Sequence, residues 1–293
     1  EKKKGKQRFG GVVVEEIQYI GGGIVEFKLM NMNRKLKYDE RVFSKYLHKL
    51  IYRGEIFPFH INNVYDFLYA RRESDLKDYL ESLLEWNSDK LGTEVSLLQN
   101  LINEMKTSGE PLKKDKWYVI YRCERTFAST AFKPDSDKYV VESHSAYMLL
   151  EGSNEEDKAY YYSAVLNYMV YKARELGITF ARDQFARPLY ALDDLDLGWN
   201  DTNTYVILDN RPVKVQEKII ELSKRLHRLA PEILKNKVGK GVNVSNAFKL
   251  LENNDNTGTL LKNLVRVIDA YLKRVRGLSD NDIKEILSTW IGG

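Results

Sequence analysis

Residues 211–229, RPVKVQEKIIELSKRLHRL, divide the chain. Val215, Ile219, Leu222, Leu226 and Leu229 recur at helical spacing, and Pro212 suits a first helical turn. Everything downstream reads as helix. Residues 245–252 form a short one, and residues 257–276 carry Leu261, Leu264, Ile268, Tyr271, Leu272 and Val275 as one stripe. Residues 280–291 follow Ser279, a suitable N-cap. Upstream the pattern is mixed. Val12–Val14 and Ile17–Ile20 run into Gly21-Gly22-Gly23, and Ile24–Leu29 returns, which predicts a β-hairpin. Residues 39–50 read as helix through Val42, Tyr46, Leu47 and Leu50, and Ile51–Asn63 as strand and loop around Gly54 and Pro58. Ser74–Trp86 is an amphipathic helix, and residues 94–107 make another. Residues 116–150 are β-rich, with a turn at Pro134 and Asp135. Ser153 and Glu156 have capping-box spacing for a helix from Asn154 to about Leu176 that stops at Gly177. Residues 178–210 read as loops and strands, Tyr205–Leu208 among them. The expected fold class is α+β: a mixed α/β domain over residues 1–211, then an all-helical basic domain over residues 212–293.

Composition narrows the function classes. Of 293 residues, 43% are hydrophobic, enough for a real core and against general disorder. No apolar run approaches the roughly 20 residues of a membrane span, so no membrane partner is expected. The single cysteine, Cys123, permits no intramolecular disulfide and fits a reducing, cytoplasmic setting. With four scattered histidines (His48, His60, His144 and His227), a Cys/His zinc site is not expected. The chain starts at Glu1 rather than Met, so the expectation is either a trimmed chain or part of a longer protein, in which case a further domain could hold catalytic machinery. Charge is unevenly spread. Residues 1–10 hold five Lys/Arg and one Glu, residues 11–212 hold 26 Lys/Arg and 32 Asp/Glu, and residues 213–276 hold 14 Lys/Arg and six Asp/Glu. The last 17 residues give −2, so an acidic-to-neutral body carries a basic helical tail, which suits a polyanionic partner, although basic helix faces can also be merely solvated.

Motifs for chemistry are sparse. GxGxxG, GxxxxGK[ST], GxSxG and HExxH are all absent. Glu26-Phe27-Lys28 is an E-x-K on a strand, with Glu15 and Glu16 upstream, so a metal-dependent nuclease is one alternative. A stronger signal is basic and aromatic interleaving from Lys113 to Phe127. Strand alternation puts Trp117, Val119 and Tyr121 on one face, and Tyr118, Ile120 and Arg122 on the other. Arginine paired bidentately with guanine is the commonest base-specific contact, whereas lysines hold phosphates. The candidate DNA-contacting residues are therefore Lys116, Arg122, Arg125 and Thr126, with Arg71, Arg72, Arg182, Gln184 and Arg187 on loops.

Four segments in order resemble a known family. They are IYRGEIFPF (51–59), DLKDYLESLLEW (75–86), KWYVIYRCERTF (116–127) and EEDKAYYYSAVLN (155–167), the last with Ala159, Tyr160, Tyr161, Leu166 and Asn167 in place. Together they resemble the target-recognition (specificity) region of N6-adenine DNA methyltransferases and restriction–modification enzymes, including TaqI-like specificity domains. The resemblance covers about residues 51–176. The family's NPPY-type catalytic motif and its glycine-bearing cofactor motif are absent from this chain. The resemblance therefore implies only the specificity function: reading double-stranded DNA while a separate catalytic domain or subunit, which would hold S-adenosylmethionine, flips and methylates adenine. No cofactor and no catalytic residue is expected here. Two further alternatives stay open: a non-catalytic protein-interaction scaffold, with the Leu261–Val275 stripe laid on a partner helix, and an RNA-binding module that stacks bases on aromatic strands.

Overall fold

The computed structural model describes residues 12–104, 111–123, 127–142, 145–180, 187–200, 203–235, 237 and 243–292. In chain order the strands are β1 (Val12–Gly21), β2 (Ile24–Leu29), β3 (Lys35–Asp39), β4 (Leu47–Ile51), β5 (Ile56–Phe57), β6 (His60–Ile61) and β7 (Tyr65–Leu68). They continue with β8 (Tyr118–Cys123), β9 (Phe127–Phe132), β10 (Tyr139–Val141), β11 (Ser145–Leu149), β12 (Tyr205–Leu208) and β13 (Arg211–Lys214). The helices are α1 (Glu40–Tyr46), α2 (Glu73–Leu91), α3 (Val95–Glu104), α4 (Glu155–Glu175) and α5 (Arg187–Asp194). They end with α6 (Val215–Leu234), α7 (Val244–Glu252), α8 (Asp255–Ala270), which runs into a π-helical turn at Tyr271–Val275, and α9 (Asp280–Ile291). The class is α+β, with a helical C-terminal region.

The chain divides into two compact units. The first takes its described residues from Glu1–Tyr52, Val64–Lys113 and Ser136–Ser143; the second from Arg53–Asn63, Lys114–Asp135 and His144–Gly293. This division differs from a break at residue 211, because residues on both sides of 211 share one core. The cause lies in α4. It is buried almost all round, from Ala159 through Val165, Leu166, Tyr168 and Met169 to Ala173. A helix apolar on every face must be covered on every face. Strands β8 and β9 cover it on one side, and α6 and α8 on another.

In the first unit a six-stranded sheet has the order β10-β4-β7-β1-β2-β3, antiparallel except for the parallel pair β10–β4. Strand alternation buries Val12 and Val14 in one core, with Phe27, Leu29 and the apolar stripe of α2, and Val13 in another, with Leu50, Phe67 and Val140. The expected β1–β2 hairpin forms, and its loop residues Gly22 and Gly23 both have positive φ, as the primed turns of tight hairpins demand. Asn87 of α2 closes the outer edge of β3: its Oδ1 accepts from Lys37 N–H at 2.9 Å, and its Nδ2 donates to Lys37 C=O at 2.9 Å. The helix expected over 39–50 ends at Tyr46. Val42 of its apolar stripe is 38% exposed, while Leu50 and Ile51 fill a strand slot between β7 and β10. The β-rich block 116–150 also divides, since β10 pairs with β4 and not with its sequence neighbours.

In the second unit β11-β8-β9 form an antiparallel sheet against α4. Asn167 repeats the device of Asn87. Its Oδ1 accepts from Ser129 N–H at 3.1 Å, and its Nδ2 donates to Ser129 C=O at 2.9 Å. The end of α4 has a Schellman pattern: Gly177 at φ +70 donates to Arg174 C=O, and Ile178 N–H donates to Ala173 C=O at 2.8 Å. The start of α4 departs from expectation. Asn154 is the N-cap, in the left-handed region at φ 61, and no side-chain cap bond forms; Glu155, Glu156 and Asp157 instead face the positive end of the helix dipole. Pro212 lies in β13 opposite Ile207, and the helix begins only at Val215. Asp209 and Asn210, both at positive φ, make the hairpin turn between β12 and β13. Part of the span expected as loop is α5, which buries Pro188, Ala191 and Leu192. Ser279 caps α9 as expected, reciprocally with Asp282.

Candidate nucleic-acid interface

Four stretches of the first unit meet around a cleft of about 450 Å³: the end of α1 and start of β4, the end of β7 with the turn into α2, residues 111–113, and Asp137. Backbone bonds hold them together. Tyr69 N–H donates to Tyr46 C=O at 2.9 Å, and Leu112 N–H donates to Tyr139 C=O at 2.7 Å. Lys138 Nζ donates to the C=O groups of Ser44 and Lys45 at 3.2 Å each, a cation at the negative end of α1. Burial holds the Lys138 ammonium below the usual lysine range.

The rim of the cleft carries exposed Lys45, Arg71 and Lys113, with Asp75 and Asp137 beside them. The floor carries Tyr46, His48 and Tyr69. Burial pulls the His48 imidazole below its ordinary value against the opposing pull of the Tyr46 carbonyl, and the Lys138 charge adds to the lowering. His48 is therefore neutral at pH 7. Its Nδ1 lies 3.0 Å from Tyr46 C=O, an acceptor, so Nδ1 carries the proton and Nε2 keeps its lone pair. The His48 ring stands edge-on to Tyr69 at 5.0 Å, and Lys45 Nζ lies 5.3 Å over the Tyr46 ring.

Among the residues expected to touch DNA, Arg71 lines this cleft, and Arg72 occupies the adjoining N-cap position of α2. Lys116, Arg122 and Arg187 belong to the second unit. Lys116 is exposed but bound to Glu155 at 3.0 Å, a hydrogen bond and charge that raise its pKa. Arg122 is partly buried in mid-sheet, opposite Ala128 and Ser145. Arg187 is exposed at the start of α5. Arg125, Thr126, Arg182 and Gln184 lie outside the described residues. Lys45 and His48 were not singled out from the sequence, because the cleft draws on positions about 25 to 90 residues apart that share no local pattern.

Part of the basic C-terminal segment is paired within its own unit. Lys224 meets Glu156 and Asp157 of α4, Arg266 meets Asp209, Lys273 meets Asp280, and Arg276 meets Asp196. Lys214, Lys218 and Arg225 pair along α6 itself. Lys224, Arg266, Lys273 and Arg276 thus meet acids outside residues 213–276, while Arg228, Lys249 and Lys262 are exposed. The apolar stripe is likewise occupied: Leu261, Leu264, Ile268 and Leu272 are buried in the unit's core.

The E-x-K at 26–28 joins a cross-strand charge ladder. Glu26 meets Lys35 and Lys37, and Lys28 meets Glu15 and Glu16. Lysines so placed neutralise the carboxylates a metal would need, and among the described residues no cluster of three His, Cys, Asp or Glu is arranged to hold one.

Ser163 and His227 have the spacing of a nucleophile and base, with Oγ 3.2 Å from Nε2. The environment gives them a structural role. Ser163 is fully buried, His227 Nδ1 donates to Ser223 C=O at 2.8 Å, and its Nε2 accepts from Ala131 N–H at 3.0 Å. Burial lowers the imidazole pKa to about 4. Between that value and about 6.5, the unfolded chain binds a proton that the folded chain refuses, so stability falls as pH drops through this window. Allowing for the partial exposure of His227, the loss is about 2–3 kcal/mol. Urea midpoints at pH 7 and pH 4.5 measure it, and an equal decline in His227→Gln would refute the assignment.

No protein-family model matches the chain, and no curated protein matches its sequence. Among the described residues no helix is long and apolar enough to cross a membrane.

Proposed function

We propose that the chain binds nucleic acid, double-stranded DNA foremost, as the non-catalytic target-recognition part of an N6-adenine DNA methyltransferase or restriction–modification enzyme. S-adenosylmethionine and the methyl transfer then belong to a partner domain or subunit. The observation that carries the reading is the cleft of the first unit, where Arg71 is joined by Lys45, Lys113, His48 and two tyrosines. Cations at a rim with aromatic groups beneath suit a phosphate with a base attached. The order of the four segments between residues 51 and 176 supports the methyltransferase assignment, but its last segment has a packing role too: Ala159, Tyr161 and Leu166 are core, and Asn167 pins β9.

Fluorescence anisotropy with duplex DNA, in a salt series without metal, tests the proposal. Three rim cations set a slope of log K against log salt near −2 to −3, at about −0.9 per phosphate. Arg71→Ala is expected to weaken binding about tenfold at fixed salt, the loss of one charge-assisted contact. An absence of binding at about 50 mM salt, where phosphate contacts are strongest, removes the proposal.

A further inference from the structure

We infer that two copies of this chain pair through β11, edge to edge and antiparallel about a two-fold axis. The inference goes beyond the nucleic-acid reading and does not depend on it. An edge strand presents unpaired N–H and C=O groups that a further strand can meet, and folded proteins usually blunt such edges. Asn87 bonds both backbone groups of Lys37 on β3, and Leu112 N–H donates to Tyr139 C=O beside β10. Asn167 and Phe59 hold Ser129 on β9, where Ala131 N–H donates to His227. Arg274 donates to Ile207 C=O on β12, and Pro212 removes a donor from β13. The stretch of β1 beyond its pairing with β7 carries Glu15, Glu16 and two register shifts. On β11 there is no such device. Leu150 N–H donates to Trp117 C=O at 3.0 Å, which fixes the alternation. Ala146 and Met148 bond to Tyr121 and Val119 of β8, so the backbone groups of Ser145, Tyr147 and Leu149 point away from it. Among the described residues none meets those outward groups. Burial agrees: Tyr118 to Tyr121 of β8 are buried, whereas Ala146, Met148 and Leu149 are half-buried and Tyr147 is 41% exposed.

The strand's own sequence selects the occupant. Ser145-Ala146-Tyr147-Met148-Leu149 has no charge and no proline, so a second copy brings no like charges into register. Antiparallel pairing centred on Tyr147 sets Tyr147 against its own copy, Ser145 against Leu149 and Ala146 against Met148. Outward residue then meets outward residue, and each such pair exchanges both of its backbone hydrogen bonds. A small side chain also faces a long one. The contact is self-complementary and closes after two copies, joining two three-stranded sheets into one.

Sedimentation velocity and amide hydrogen exchange of the full chain, from about 50 µM to about 1 mM, test this at the affinity of a small interface. A monomer–dimer equilibrium is expected, with a dissociation constant of about 100 µM. The Tyr147 and Leu149 amides should then exchange about threefold more slowly at the high concentration, by mass action. The Ala146 and Met148 amides, bonded to β8 in the single chain, should change less. Tyr147→Lys puts two cations opposite each other on the axis and is expected to weaken the dimer about tenfold. Where that variant fails to fold, the exchange pattern of the wild-type chain still decides. A monomer at every concentration overturns the inference. So does a dimer in which Tyr147 and Leu149 exchange at unchanged rates, or a folded Tyr147→Lys chain that dimerises as tightly as the wild type.

Discussion

Asp269→Ala is expected to destabilise the second unit by about 3 kcal/mol. Asp269 of α8 accepts from Lys172 Nζ at 2.9 Å and from the Tyr168 hydroxyl at 2.6 Å, both on α4. Tyr168 is fully buried, and the Lys172 side chain is 9% exposed. Burial alone would pull the Lys172 ammonium down; the hydrogen bond to Asp269 and the charges of Asp269, Glu175 and Asp280 outweigh it and hold the pKa above the ordinary lysine value. Alanine therefore leaves an enclosed cation and a buried hydroxyl without their main acceptor. Breaking a buried pair from one side costs about 3–5 kcal/mol, and the low end applies because Glu175 and Asp280 remain at 3.6 and 3.8 Å. Asp269→Asn keeps an acceptor for Tyr168 and should lose about half as much. Urea denaturation followed by tryptophan fluorescence reads the effect, since Trp117, Trp199 and Trp290 all report on this unit. A shift below about 1 kcal/mol for alanine would mean that the network is satisfied without Asp269.

Asn167→Ala should cost about 3 kcal/mol. Asn167 is fully buried and bonds both the N–H and the C=O of Ser129, at the edge of the β11-β8-β9 sheet. The Ser129 carbonyl retains Phe59 N–H at 3.0 Å, but its own N–H loses the Asn167 acceptor inside the core. Desolvation of that donor and the cavity left by the amide add together. Hydrogen exchange at Ser129 gives a site-specific reading: its amide should exchange faster in the variant than β8 amides do, and uniform acceleration across the sheet would count against a local role.

Local signals in the sequence translated well into structure. Three consecutive glycines between alternating strands gave a hairpin, Gly177 ended α4, and Ser279 with Asp282 opened α9. Each rests on a few neighbouring residues. What escaped depends on distant partners. Leu47 and Leu50 fit a helical stripe, but the slot between β7 and β10 claims them as strand. The parallel pairing of β10 with β4, and the removal of β5 and β6 to the second unit, leave no periodic trace. Charge blocks translate only in part for a related reason. Of the lysines and arginines after residue 212, Lys224, Arg266 and Arg276 meet acids of the preceding block, Glu156, Asp157, Asp209 and Asp196, a pairing that no count along the sequence shows. Arg71 was legible as a candidate and Lys113 as the start of a basic and aromatic run; Lys45 and His48 were not.

The most direct test compares the salt dependence of duplex DNA binding by the wild-type chain with that of a triple variant, Lys45→Ala, Arg71→Ala and Lys113→Ala. All three residues are exposed, so the fold should persist. If the cleft is where the polyanion is held, the log–log salt slope of the variant falls by about 2 to 3, one counterion per lost cation at about 0.9 each. An unchanged slope with unchanged affinity would place DNA binding elsewhere on the chain and contradict the account.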